Sequence, residues 1–160
     1  MLVEAVHPET GEKVVVDIPD ITKEKLDQLL KENATDEQIK SALDNVPMSA
    51  EAKAILYKLA KYSINLGGVI FKIGKKVLEI VIYLATNFQK LSFAMVVAAL
   101  LSFLIASIPF LGPILAPFLT PLILLVGLTK GIWEELKTSE PQFVSVVERS
   151  GEIFSPLAVA

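Results

Sequence analysis

Three places in the chain hold residue types that could do chemistry. Gly68-Val-Ile-Phe-Lys-Ile-Gly74-Lys75-Lys76 has the glycines and lysines of a loop that cradles phosphate on backbone N–H groups. The spacing excludes it: the two glycines stand one residue too far apart, and no Ser or Thr follows the lysine to hold magnesium. His7 lies near Glu4 and Glu9, an acid–base pairing in type, but a single histidine beside a turn is more simply inert. Glu134-Glu135 beside Trp133 could attract a cation, and a solvated helix end explains the pair as well. With one histidine and no cysteine, the chain cannot build a thiolate or multi-histidine metal centre or a cysteine nucleophile. No catalytic residue, metal site or cofactor follows, and a non-enzymatic role is expected.

The charges are more informative than any motif. The 160 residues carry 15 Lys+Arg and 18 Asp+Glu, a net charge of −3. Residues 1–50 hold a net −6, residues 51–90 a net +5 and residues 91–160 a net −2. An acidic chain whose one basic segment adjoins an apolar run is unsuited to nucleic acid and suited to an anionic membrane surface. The acidic opening residues lack the pattern of a signal peptide, so the N-terminus is expected on the cytoplasmic side.

The elements that must position these residues read as mainly α. LVEAV and KVVVDI flank the turn residues HPETGE and predict a small N-terminal β-hairpin. Short helices follow from Thr22, from the capping box Thr35-Asp-Glu-Gln and from Ser49. Residues 1–48 thus read as an acidic head domain, either a solvated globular cap or a docking module for a protein partner. In 49–90, polar residues recur at three- and four-residue steps, which predicts one long basic amphipathic helix, bent or broken at Gly67-Gly68.

Residues 91–129 contain no charged side chain. As one helix they would extend about 58 Å at about 1.5 Å per residue, against a hydrocarbon core of about 30 Å. Two arms with a turn fit better, so 91–131 reads as an apolar transmembrane helical hairpin turned at Pro109, Gly112 and Pro113, with Gly112 free to take positive φ. Ala94, Ala98, Ser102 and Ala106 recur at four-residue steps and form the expected helix-packing face. Pro117 and Pro121 cannot donate to the carbonyls of Pro113 and Pro117, which predicts a second arm bent and shielded by protein. Lys72, Lys75, Lys76, Lys90, Lys130 and Trp133 are the expected membrane-interface residues, and basic flanks on both sides place both termini in the cytoplasm. Residues 132–160 are a polar C-terminal tail.

The resulting expectation is a membrane protein whose partners are the lipid bilayer and copies of itself or other membrane subunits. It would serve as an anchoring or assembly subunit of a membrane complex or membrane-containing particle. The alternatives are a pore-forming or membrane-perturbing protein and, outside a membrane, an apolar hairpin buried within a soluble helical bundle. In architecture alone, with no motif to carry the likeness, the hairpin resembles the insertion hairpin of pore-forming colicins.

Overall fold

The computed structural model describes residues 1–19, 21–129 and 131–158. It is mainly helical, with a small antiparallel sheet at the N-terminal end of the chain. Strands β1 (Leu2–Val6) and β2 (Lys13–Asp17) form the expected hairpin, in the register Leu2↔Asp17 to Val6↔Lys13. Its turn is tied by His7, whose Nδ1 accepts from the N–H groups of Glu9 and Thr10, both at 3.2 Å. The alternation of β1 decides its faces: Val3 and Ala5 are fully buried, while Leu2 and Val6 point outward.

Helices α1 (Lys23–Leu30), α2 (Asp36–Asp44) and α3 (Ala50–Ala60) start where the capping residues stand. Thr22, Thr35 and Ser49 each accept a backbone N–H three residues on, and Thr35 with Gln38 closes a reciprocal capping box.

The long amphipathic helix expected over 49–90 is not continuous. After α3 the chain makes β3 (Ile64–Leu66) and β4 (Val69–Phe71), then α4 (Ile73–Asn87). The cause is Gly67-Gly68, with φ of +58° and +96°, which forms a two-residue hairpin turn between the paired Leu66 and Val69. Asn65 closes this turn by accepting the Gly68 N–H at 2.7 Å. Strand β3 pairs antiparallel with β1, so the sheet order is β2-β1-β3-β4 and the first residues of the chain are joined to its middle.

Helices α5 (Phe93–Ser107) and α6 (Gly112–Val126) are the two apolar arms, separated by a 3₁₀ turn at Pro109–Leu111. Pro109 opens that turn, while Gly112 and Pro113 are the first two residues of α6. Gly112 has φ −52° rather than a positive value, because the 3₁₀ turn reverses the chain without a left-handed residue. The left-handed glycine is Gly127, φ +72°, which ends α6. Helices α7 (Ile132–Ser139) and α8 (Pro141–Gly151) and a closing 3₁₀ segment, Glu152–Leu157, complete the chain. Pro141 stands at the first position of α8, where its missing N–H costs nothing. One hydrophobic cluster runs from Val3 to Leu157, so the head, the apolar arms and the tail share a core.

Candidate functional site

Two features stand out: the packing around the uncharged helix α5, and the charged contact between the head and α4. Eight of the 15 residues of α5 are buried, and it packs against α4, α6, α7 and α8. The sheath meets it with apolar faces: Val77, Leu78, Val81 and Leu84 on α4, Trp133 and Leu136 on α7, Phe143 and Val147 on α8. Ring contacts fasten these layers. Phe103 of α5 lies 5.6 Å from Trp133, and Phe88 lies 5.2 Å from Phe143 in an edge-to-face pair. Ala94 and Ala98 of the small-residue face are buried inside the chain, Ser102 is half-buried and Ala106 is exposed. Most of that face is therefore already covered by the chain's own helices.

Helix α6 is asymmetric. Ile114, Leu115, Phe118, Leu122 and Ile123 face inward, and Phe118 meets the Tyr62 ring edge-on at 5.8 Å. Pro113 is exposed, Pro117 and Pro121 are half-buried, and Leu124 and Leu125 are 72% and 44% exposed. The prolines thus follow the outer side of α6, where water can hydrate the carbonyls they leave without an i+4 donor. The expected shielding by protein is therefore partial: one side of α6 is buried against the chain and the other is open. The stretch Pro109–Val126 is long and apolar enough to cross a membrane by length and composition, with 33% of it buried. Helix α5, at 15 residues, extends only about 22 Å by the helical rise of about 1.5 Å per residue, short of a full span.

The interface residues divide. Lys72 and Lys90 are exposed, and Lys130 lies outside the described residues. Lys75 and Lys76 are buried, 4% and 5% exposed, and Trp133 is buried against Phe103 with the Lys137 ammonium 5.9 Å over its ring. The two buried lysines face the head rather than a solvent boundary. Lys75 Nζ lies 3.0 Å from Asp36 and 3.3 Å from Glu32, and Lys72 reaches Asp36 at 3.8 Å. Lys76 donates to the Lys31 carbonyl and pairs with Glu79 at 3.4 Å, while Glu79 accepts the Ala34 N–H at 3.2 Å. The acidic head and the basic middle segment therefore neutralise each other across the α1–α2 connection. Their opposite net charges were the signal for this contact, legible in the sequence beside the membrane reading.

Electrostatics follow this geometry. Burial pulls the Lys75 ammonium down, but hydrogen bonds and charge from Asp36 and Glu32 outweigh it and hold the pKa above the ordinary lysine range. The Lys75 hydrogen bond and charge, then Lys72, hold the Asp36 carboxyl below its ordinary range. Burial pushes the Tyr62 phenol up to about 12, with its hydroxyl donating to the Val6 carbonyl at 2.7 Å.

The remaining chemical candidates are not brought together. His7 serves its turn, Glu4 pairs with Lys13 at 3.0 Å, and Glu134 pairs with Lys137 at 3.1 Å. Among the described residues no group of three or more His, Asp or Glu is placed to hold a metal ion. Gly74 has a packing role instead of a phosphate role: a Cβ there would lie 1.6 Å from the Leu59 carbonyl oxygen. No family model, curated protein or solved structure matches the chain.

Proposed function

We propose that the protein is a non-enzymatic, membrane-perturbing protein that carries the α5 arm of its apolar hairpin sheathed and releases the hairpin into a bilayer. The observation that carries this reading is the burial of uncharged α5 by α4, α6, α7 and α8. A constitutive anchor presents its most apolar helix to lipid, whereas this one is enclosed by the other apolar arm and by the amphipathic α4, α7 and α8, which could turn the same faces toward lipid. That weighs against the anchoring and assembly role and for the pore-forming one. The outer side of α6 adds support. Carbonyls freed by Pro117 and Pro121 need water or protein inside a bilayer, which copies of the chain around an aqueous lumen would supply. A hairpin returns both flanks to one side, so the head and tail would stay together on the cytoplasmic face.

The test uses the full chain with dye-loaded vesicles containing phosphatidylglycerol, followed by carbonate extraction. Dye release together with carbonate-resistant protein is the expected result. Carbonate resistance without dye release would return the role to a constitutive anchor. Protein that stays in the aqueous phase without leakage would sink both, leaving a soluble helical bundle.

A further inference from the structure

We infer that the cavity between α2, α3 and the start of α4 binds a small organic phosphomonoester. The cavity has a volume of about 380 Å³, within the range of about 300–1,000 Å³ common to small-ligand sites. Its wall is apolar where Ile39 and Leu43 reach it, and both are buried. Its rim is cationic: Lys40, Lys61, Lys72 and Lys75 line it against one carboxylate, Asp36. Lys75 is committed to Asp36 and Glu32, and Lys72 reaches Asp36 only at 3.8 Å. Among the described residues, Lys40 and Lys61 pair with no carboxylate.

Helix α4 opens at this cavity with no acidic residue in its first turn and no side-chain cap, so its positive end adds to the lysine charge. Ammonium groups gathered around one cavity repel, and a dianion offsets that repulsion. Lysine recognises phosphate as a point charge, with several donors to share among its oxygens. The apolar wall fits a short carbon body attached to the phosphate. This inference is independent of the fate of the hairpin. Two sources share the chemistry, a soluble phosphomonoester and the headgroup of phosphatidic acid.

The test titrates the full chain with glycerol 3-phosphate by calorimetry, at ionic strength matched with chloride. A second arm floats the protein with phosphatidylcholine vesicles with and without phosphatidic acid. Lys40→Gln/Lys61→Gln is the informative variant, because both side chains are exposed and the Lys75 contacts stay intact. Lys13→Gln on β2 is the control. Saturable binding to either probe, weakened about tenfold or more by the double variant and unchanged by the control, is expected. Glycerol 3-phosphate binding assigns a soluble source, and flotation by phosphatidic acid alone assigns the lipid. No saturable binding in either arm, or equal binding by the double variant, would overturn the inference.

Discussion

Replacing Gly74 with alanine sets two effects of opposite sign against each other. Gly74 is the second residue of α4, where alanine is the better helix former by about 1 kcal/mol. Local propensity alone therefore predicts a more stable protein. The structure predicts the reverse, because the new Cβ would meet the Leu59 carbonyl oxygen at 1.6 Å and the Tyr62 carbonyl oxygen at 3.3 Å. A backbone oxygen at the end of α3 cannot swing aside as a side-chain tip can, which puts the overlap near the upper end of overpacking costs, about 3 kcal/mol. Moving α4 away also stretches the Gly74 N–H bond to the Tyr62 carbonyl, now 3.1 Å, a further loss of about 1 kcal/mol. The net expectation is a loss of about 3 kcal/mol, or a fall in Tm of about 6–12 °C for a chain of this size. Gly112→Ala is the matched control. Its Cβ would meet only the Ile105 Cγ2 at 3.7 Å, an ordinary contact, so propensity should win and Tm should hold or rise. Thermal and urea unfolding of both variants read the difference. A Gly74→Ala protein as stable as the parent would refute the close approach of α3 and α4.

Two further outcomes follow from the charged contact. The folded pKa of Asp36 lies below its ordinary 3.8, so its contribution is present above pH 3.8 and is lost as pH falls through the folded value. That of Lys75 lies above 10.5, so its contribution is present below pH 10.5 and is lost as pH rises through the folded value. The Tm gap between the parent and Asp36→Asn should stay constant from about pH 5 to 9 and close toward pH 2; a gap unchanged at pH 2 would contradict the pairing. At the neighbouring buried pair, whose side chains are 6% and 9% exposed, Glu79→Ala leaves the Lys76 ammonium without its carboxylate and should cost about 3–5 kcal/mol. Lys76→Met/Glu79→Leu should cost less than that single change, and urea unfolding that ranks the double variant as worse would count against a buried ion pair.

The sequence was most legible where one residue type fixes a local geometry. Thr22, Thr35 and Ser49 marked helix starts because a side-chain oxygen satisfies a specific N–H, and the turn residues of HPETGE separated two β-branched runs. Gly67-Gly68 carried an equally local signal, two positive-φ residues between the alternating Ile64-Asn65-Leu66 and Val69-Ile70-Phe71. Lysines at helical steps on both sides masked it, since a three-residue strand is too short to break a periodic pattern visibly. The partners of Lys75 and Lys76 were harder to read. A basic stripe has the same spacing whether it faces lipid phosphates or the carboxylates of Glu32 and Asp36, and only the tertiary contact distinguishes them. The same holds for Ala94 and Ala98, whose spacing announces a close helix neighbour without saying whether it belongs to another chain.

The order of the sheath along the chain has a consequence for how the protein is made. Helices α4, α5 and α6 are synthesised before α7 and α8, which cover α5 from the C-terminal side. Residues 132–151 take about 1–4 s to add at about 5–20 residues per second. During that interval the nascent chain displays an uncharged helix with an incomplete cover. A chaperone can engage it then, in competition with the arriving tail, and under the proposed membrane-perturbing function so can a nearby bilayer. The rate of translation through the tail is therefore a variable in how long α5 stays uncovered, separate from the equilibrium stability of the finished fold.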